Sequence, residues 1–349
     1  MLCGMRHRAN FGRKHRSHQV NVSCSASGPG FTPVLEEDGR FLRPRMAADL
    51  RYTTADADFL NGWWRDPWDR GEKTTALRSR EPTLAEFWAR LCDACDWLSR
   101  QWESDSWSGG GLSLTFAGHG RYPDGALVLR DGCVMAEDLA TFLEDLWQPS
   151  PSHAGNLRVA LKLDSCYSGA FLLRWLERVY ASGLLVPYFS HVSSMPDEVS
   201  WEDSSLGHGL FTFCVSHSGH RGELVADAVQ PDNSLGKSLW LAAHEFGCAR
   251  LTVGEQNPIR YTEYDHLEVL GRRIDFADLL PLPSASDLEG RLSEVRNELQ
   301  PVFKILEPEM SMNGRLTDAG ALADVRRTLD FIERTKRLVP TEAANDRRA

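Results

Sequence analysis

"LRVALKLDSCYSGAFLLRWLERVYA" occupies residues 157–181 and contains three kinds of sequence in succession. Leu157 to Leu163 is a strand-length apolar run with few polar interruptions, as expected of a strand buried on both faces. Asp164 to Gly169 is a short polar turn. From Ala170 to Ala181 the apolar residues return at helical spacing. Strand, tight turn and helix in that order form half of a parallel crossover unit, and the question is whether the rest of the chain repeats it.

It does so in both directions. "LSLTFAG" (112–118) is a second buried strand ending in glycine, and "REPTLAEFWARLCDACDWLSRQW" before it places Leu84, Phe87, Trp88, Leu91, Cys95 and Leu98 on one helical face behind Pro82-Thr83. Further upstream, "HQVNVSCSA" (18–26) alternates like a strand, a short helix starts near Thr54, and Thr74 to Leu77 is strand-like. Between the two buried strands, "GALVLRDGCVMAEDLATFLEDLW" gives a short strand, a turn at Asp131-Gly132 and a helix over 136–147. Downstream, "LVPYFSHVSSM" reads as one strand, "GLFTFCVSH" and "GKSLWLAAHEFGCARL" as helices, and "NPIRYTE" as a last short strand. The predicted fold is α/β, a mostly parallel sheet flanked by helices on both faces. Two amphipathic stretches, 284–305 and 318–338, add a C-terminal helical extension.

The predicted division is a basic N-terminal segment over 1–45 that holds the first strand, a main domain over 46–270, a helical hairpin over 271–340 and a polar tail over 341–349. The chain has 349 residues and a net charge of −10, which argues against general nucleic-acid binding. It has no apolar run long enough for a membrane span. Eight cysteines without regular spacing fit reduced thiols in the cytoplasm better than a disulfide framework.

In open parallel sheets, sites form beyond the carboxyl ends of the strands. Gly118-His119-Gly120 and Asp164 to Gly169 both fall at such ends, so they share one predicted crevice. Cys166 precedes a helix whose positive end lowers a thiol pKa, and a histidine from the neighbouring strand end can take its proton. Gly120 lets the backbone come close to a substrate, and its amide, with that of Cys166, can face a developing oxyanion.

"FAGHG" followed by "LDSCYSGA", with Cys166 47 residues after His119 (119 to 166), resembles the His and Cys motifs of caspase-like cysteine peptidases, the caspase and metacaspase group with its bacterial relatives. "SSMPDEVSWED" with "GHGLFTFCV", and upstream "ADADFL" with "EPTLAEFWARL", extend the likeness over residues 50–262. The resemblance implies a caspase-like fold, with His119 as general base, Cys166 as nucleophile, and the amides of Gly120 and Cys166 as oxyanion donors. It makes the residue two before the cysteine, Asp164, a wall of the specificity pocket, which implies cleavage after Arg or Lys. Ser194, and Asp197 as a second acid, complete the predicted lining. Tyr167 stands where the metacaspase pattern commonly has His. The setting implied is a regulated proteolytic circuit of defence or cell death, with protein substrates, a protein activator or inhibitor, no membrane partner and no cofactor, calcium being the open case. Because a helix and a short turn nearly fill 169–187, activity as a single chain, or activation by a cut elsewhere, is expected.

Blander readings stand beside these. The alternative function is a catalytically silent scaffold or regulatory interaction protein of the same fold. Cys92 and Cys95 form a C-x-x-C inside a helix, where core packing is the expectation. "PDNSLGKS" (231–238) has proline where a phosphate loop has glycine. His244-Glu245 is expected to be a helix surface pair, and Asp197, Glu198, Glu202 and Asp203 a solvated acidic loop.

Overall fold

The structure, a computed structural model, describes residues 18–26, 50–63, 74–104, 110–147, 157–203, 208–214, 245, 248–249, 252, 254–262, 266–269, 272–275 and 284–310. Its strands are β1 His18–Ala26, β2 Thr74–Arg80, β3 Gly110–Gly118, β4 Leu127–Val128, β5 Cys133–Val134, β6 Leu157–Asp164, β7 Leu185–Pro187, β8 Ser190–Val192, β9 Glu202–Asp203, β10 His208–Gly209, β11 Ile259–Thr262, β12 His266–Val269 and β13 Arg272–Asp275. Its longer helices are α1 Thr53–Trp63, α2 Leu84–Ser104, α3 Ala136–Leu146, α4 Ser168–Ser182 and, near the C-terminus, α5 Ala285–Met310. Residues 210–214 are also helical. The basic tail before residue 18, the 231–238 segment and the predicted helix over 318–338 lie outside the described residues.

One sheet runs in the order β13-β12-β11-β8-β6-β3-β1-β2, with β7 also paired to β6. From β2 to β8 every pairing is parallel, and from β8 through β13 every pairing is antiparallel. The expected mostly parallel α/β sheet is therefore present. β1 lies between β2 and β3, so the N-terminal segment supplies an interior strand. β12 and β13, which sequence periodicity does not reveal, carry the sheet to Asp275, past the boundary expected at residue 270. The stretch expected as one strand after α4 is two, β7 and β8, separated by Tyr188 and Phe189.

Alternation places the helices. Val22, Cys24, Leu112, Leu114 and Phe116 share one continuous apolar core with Phe87, Leu91 and Leu98 of α2, Leu139 and Leu143 of α3, and Phe171, Trp175 and Val179 of α4. Ser25, pointing to the opposite face from Cys24, meets Thr54 of α1 across 3.2 Å, so α1 covers the other side. α2 starts with a reciprocal cap: the Thr83 amide donates to Glu86 Oε2 at 2.8 Å and the Glu86 amide donates to Thr83 Oγ1 at 3.2 Å. α4 ends at Gly183 with φ 65°, a left-handed stop suited to glycine, and leads directly to β7. α5 buries Leu288 and Leu292 in the same core and packs against α4.

Candidate active site

Register brings the two motifs together. Ala117 of β3 pairs with Asp164 of β6, so His119 and Cys166 each lie two residues beyond the same rung. Both residues line a single cleft at the carboxyl ends of these strands, together with Ala117, Gly118, Asp164 and Ser165. Leu50, Thr53 and Asp56 from the start of α1, and Ser200, Trp201, Glu202 and Gly209 opposite, complete its walls.

Gly120 packs so tightly on Cys166 that a Cβ built on it would lie 1.8 Å from the Cys166 carbonyl oxygen. This close approach is what a glycine there permits. Tyr167 is the N-cap of α4 with φ 58°, a left-handed conformation that costs free energy in a residue with a side chain. Its amide donates to the Glu198 carbonyl at 2.8 Å, and its ring lies 5.2 Å from that of Tyr122. These contacts hold the turn that presents Cys166 at the head of the helix.

The thiol differs from the expectation of a lowered pKa. Burial pushes it up and the nearby Asp164 adds to the rise, against the Ser200 amide, which donates to Sγ at 3.3 Å, and the backbone of Cys166 itself. A helix N-terminus stabilises an anion, but here desolvation outweighs it.

Asp164 is buried behind the cleft. Its Oδ1 accepts the Ser200 hydroxyl at 2.7 Å, and its Oδ2 accepts the Thr212 hydroxyl at 2.6 Å and the Thr212 amide at 3.3 Å. Burial raises its pKa in spite of these donors. A second acid stands nearby, and it is Asp56, not Asp197. Asp56 faces His208 Nδ1 at 2.7 Å and accepts the Gly209 amide at 3.0 Å. Burial first, with the Asp164 charge contributing, pushes its carboxyl up to about 6. A Cβ on Gly209 would lie 2.6 Å from Asp164 Oδ2 and 3.4 Å from Asp56 Oδ2, so this glycine is seated between the two carboxylates.

Two predicted lining residues are elsewhere. Ser194 is fully buried, where its hydroxyl meets the Ser168 amide at 3.2 Å and the Ser165 carbonyl at 3.2 Å, pinning the cysteine turn to the chain beyond β8. Asp197 is exposed and takes both oxygens to Arg296 of α5 at 2.7 Å each. Of the other acids expected in a solvated loop, Glu198 is turned inward and Glu202 is half-buried. Glu198 is buried, with Oε1 accepting Asn257 Nδ2 at 2.6 Å and Oε2 accepting the Asn257 and Met195 amides at 2.7 and 3.1 Å, and burial pushes its carboxyl up to about 7. Glu202 accepts the Arg51 and Tyr52 amides at 3.2 and 3.4 Å, tying the entrance to α1 across to this loop. Glu245, expected on a helix surface, is fully buried 2.9 Å from His191 and 3.3 Å from Arg260. Among the described residues, no group of three or more His, Cys, Asp or Glu could hold a metal ion. Cys92 and Cys95 are both free thiols, and burial pushes Cys95 up to about 12.

Fold and site together define an α/β chain with an imidazole and a thiol at adjoining parallel strand ends, backed by two buried carboxylates. No family model matches the chain, and no curated protein matches it. Among solved structures it is similar to the crystal structure of caspase-1 from Spodoptera frugiperda, with a TM-score of 0.40 and 14% identity over 75% of this chain and 92% of that one. Among the described residues no helix is long and apolar enough to cross a membrane.

Proposed function

We propose that this chain is a caspase-like cysteine endopeptidase that uses His119 and Cys166 and cleaves after Arg or Lys. The observation that carries the reading is the single cleft lined by His119, Cys166, Asp164 and Asp56. The thiol proton passes to His119 as the sulfur attacks the substrate carbonyl. The amides of Gly120 and Cys166 donate to the tetrahedral oxyanion. His119 then returns the proton to the departing amine, leaving an acyl-thioester that water hydrolyses.

Specificity follows from the two acids. A guanidinium or ammonium entering the pocket offers donors and a positive charge to carboxyls whose burial disfavours ionisation in the empty cleft. Asp56 therefore takes the role expected of Asp197, while Ser194 positions the cysteine turn. Protein substrates, a protein regulator and a role in defence or cell death are the setting the motif resemblance supports. Short fluorogenic peptides ending in Arg, Lys or Asp test the reading: turnover of the basic peptides that is lost in Cys166→Ala is expected, and preference for Asp would overturn the pocket.

A further inference from the structure

The cleft takes its alignment from a residue outside both motifs. Gln256 precedes β11 and is fully buried. Its Nε2 donates to the Ser193 carbonyl at 3.1 Å and to Ser200 Oγ at 3.0 Å, and its Oε1 accepts the Trp201 amide at 3.0 Å. Its own amide donates to Thr252 Oγ1 at 3.0 Å. The side-chain orientation is fixed by these partners, because a carbonyl can only accept and an N–H can only donate.

That orientation sets a direction for the whole chain of bonds. Ser200 Oγ receives a hydrogen from Gln256 and so gives its own to Asp164 Oδ1 at 2.7 Å. Meanwhile the Ser200 amide faces Cys166 Sγ at 3.3 Å. The next residue after Gln256, Asn257, holds Glu198, whose carbonyl accepts the Tyr167 amide beside the thiol.

We infer that Gln256 is a positioning residue for both parts of the site: it aims the Ser200 amide at the attacking sulfur and the Ser200 hydroxyl at the specificity acid. The inference deepens the peptidase reading and rests on it for the meaning of the two parts. A hydrogen bond donated to sulfur favours the thiolate, so loosening residue 200 raises the thiol pKa. Releasing the hydroxyl weakens the carboxylate form of Asp164 and with it the hold on a basic side chain.

The test uses the full chain and Gln256→Met, which keeps the length of the side chain and removes its hydrogen bonds. The rate of iodoacetamide labelling at Cys166 is followed against pH by peptide mass spectrometry, with Cys92 on α2 as internal reference and thermal melting as a check on folding. The midpoint of Cys166 labelling is expected to rise by roughly one pH unit, a roughly tenfold loss of thiolate at neutral pH, with Cys92 unchanged. Ser200→Ala, which keeps the amide and loses the hydroxyl, is expected to raise KM for an Arg-ended peptide while leaving the labelling midpoint near that of the parent. A folded Gln256→Met protein with the parent midpoint would overturn the inference. If that variant does not fold, Gln256→Asn, whose amide is too short to make the same contacts, is judged by the same midpoint. A parent protein that turns over no Arg-ended peptide would count against the peptidase reading, while the shift between parent and variant would still decide the role of Gln256.

Discussion

The two halves of the sheet are built differently. From β2 to β8 the strands are parallel, and β3 and β6 are buried along nearly their whole length. From β11 to β13 the strands are four residues each, antiparallel, and bury charge: Arg260 sits between Glu245 and Glu268, and His266 faces Glu268 at 2.7 Å. The parallel half carries His119, Cys166 and Asp164 at its strand ends. The antiparallel half, through Gln256 and Asn257, holds the loop that faces them. The candidate reactive groups and the groups that face them therefore come from two regions, one with a large apolar core and the other with buried ion pairs.

That division gives graded expectations. The largest effect on stability is expected at Arg260, because removing it leaves two buried carboxylates without their cation. Arg260→Met should cost about 3–5 kcal/mol, read by denaturant unfolding, while the Arg-over-Asp preference of the remaining folded enzyme stays as it was. A change of preference would mean that the two halves are not separable in this way. Gly120→Ala acts in the opposite manner, because its new methyl meets the Cys166 carbonyl. It should lower kcat/KM by about 100-fold or more through misplacement of the reacting groups, with a smaller change in melting temperature than Arg260→Met.

The acids of the cleft predict two opposed pH trends. Asp56 has its carboxyl raised to about 6, and Asp164 is raised by the same cause, burial. For an acid raised on folding, the contribution to stability is full below the ordinary carboxylate pKa and is lost as pH rises through the folded value. Melting temperature should therefore fall as pH rises through about 6, with Glu198 extending the fall to about 7. Binding of a basic side chain needs the ionised form, so kcat/KM for an Arg-ended peptide should rise over the same interval. Asp56→Asn should flatten the kinetic limb at about 6; an unchanged limb would assign it to another group. The smallest effect is expected at exposed Asp197, whose partner Arg296 also faces buried Glu198 at 3.6 Å. Asp197→Ala should cost less than about 1 kcal/mol and change peptide turnover only slightly.

Much of the parallel half was legible because its signals are local. β3, β6 and α4 can be read from apolar runs, a polar turn and helical spacing, and the shared crevice of His119 and Cys166 follows from their both lying just past the ends of neighbouring strands. β12 and β13 were missed because "HLEV" and "RRID" put charged residues where a buried strand usually has apolar ones, and only tertiary partners make Glu268 tolerable there. The choice among acids failed for the same reason. Asp197 and Asp56 look alike in the sequence, yet one reaches out to α5 and the other is enclosed beside Asp164. Nothing in the spacing of Gln256 marks it, since its three side-chain partners lie at residues 193, 200 and 201.

The central claim is that one thiol, activated by one histidine, reacts at a pocket for a basic side chain. An Arg-ended peptide bearing a thiol-reactive ketone in place of the scissile bond tests it directly by intact-protein and peptide mass spectrometry. The account predicts one adduct per chain, on Cys166, formed much more slowly in His119→Ala and outcompeted by excess Arg-ended but not Asp-ended peptide. An adduct on any other cysteine, or equal labelling of Cys166 in the His119→Ala protein, would contradict it.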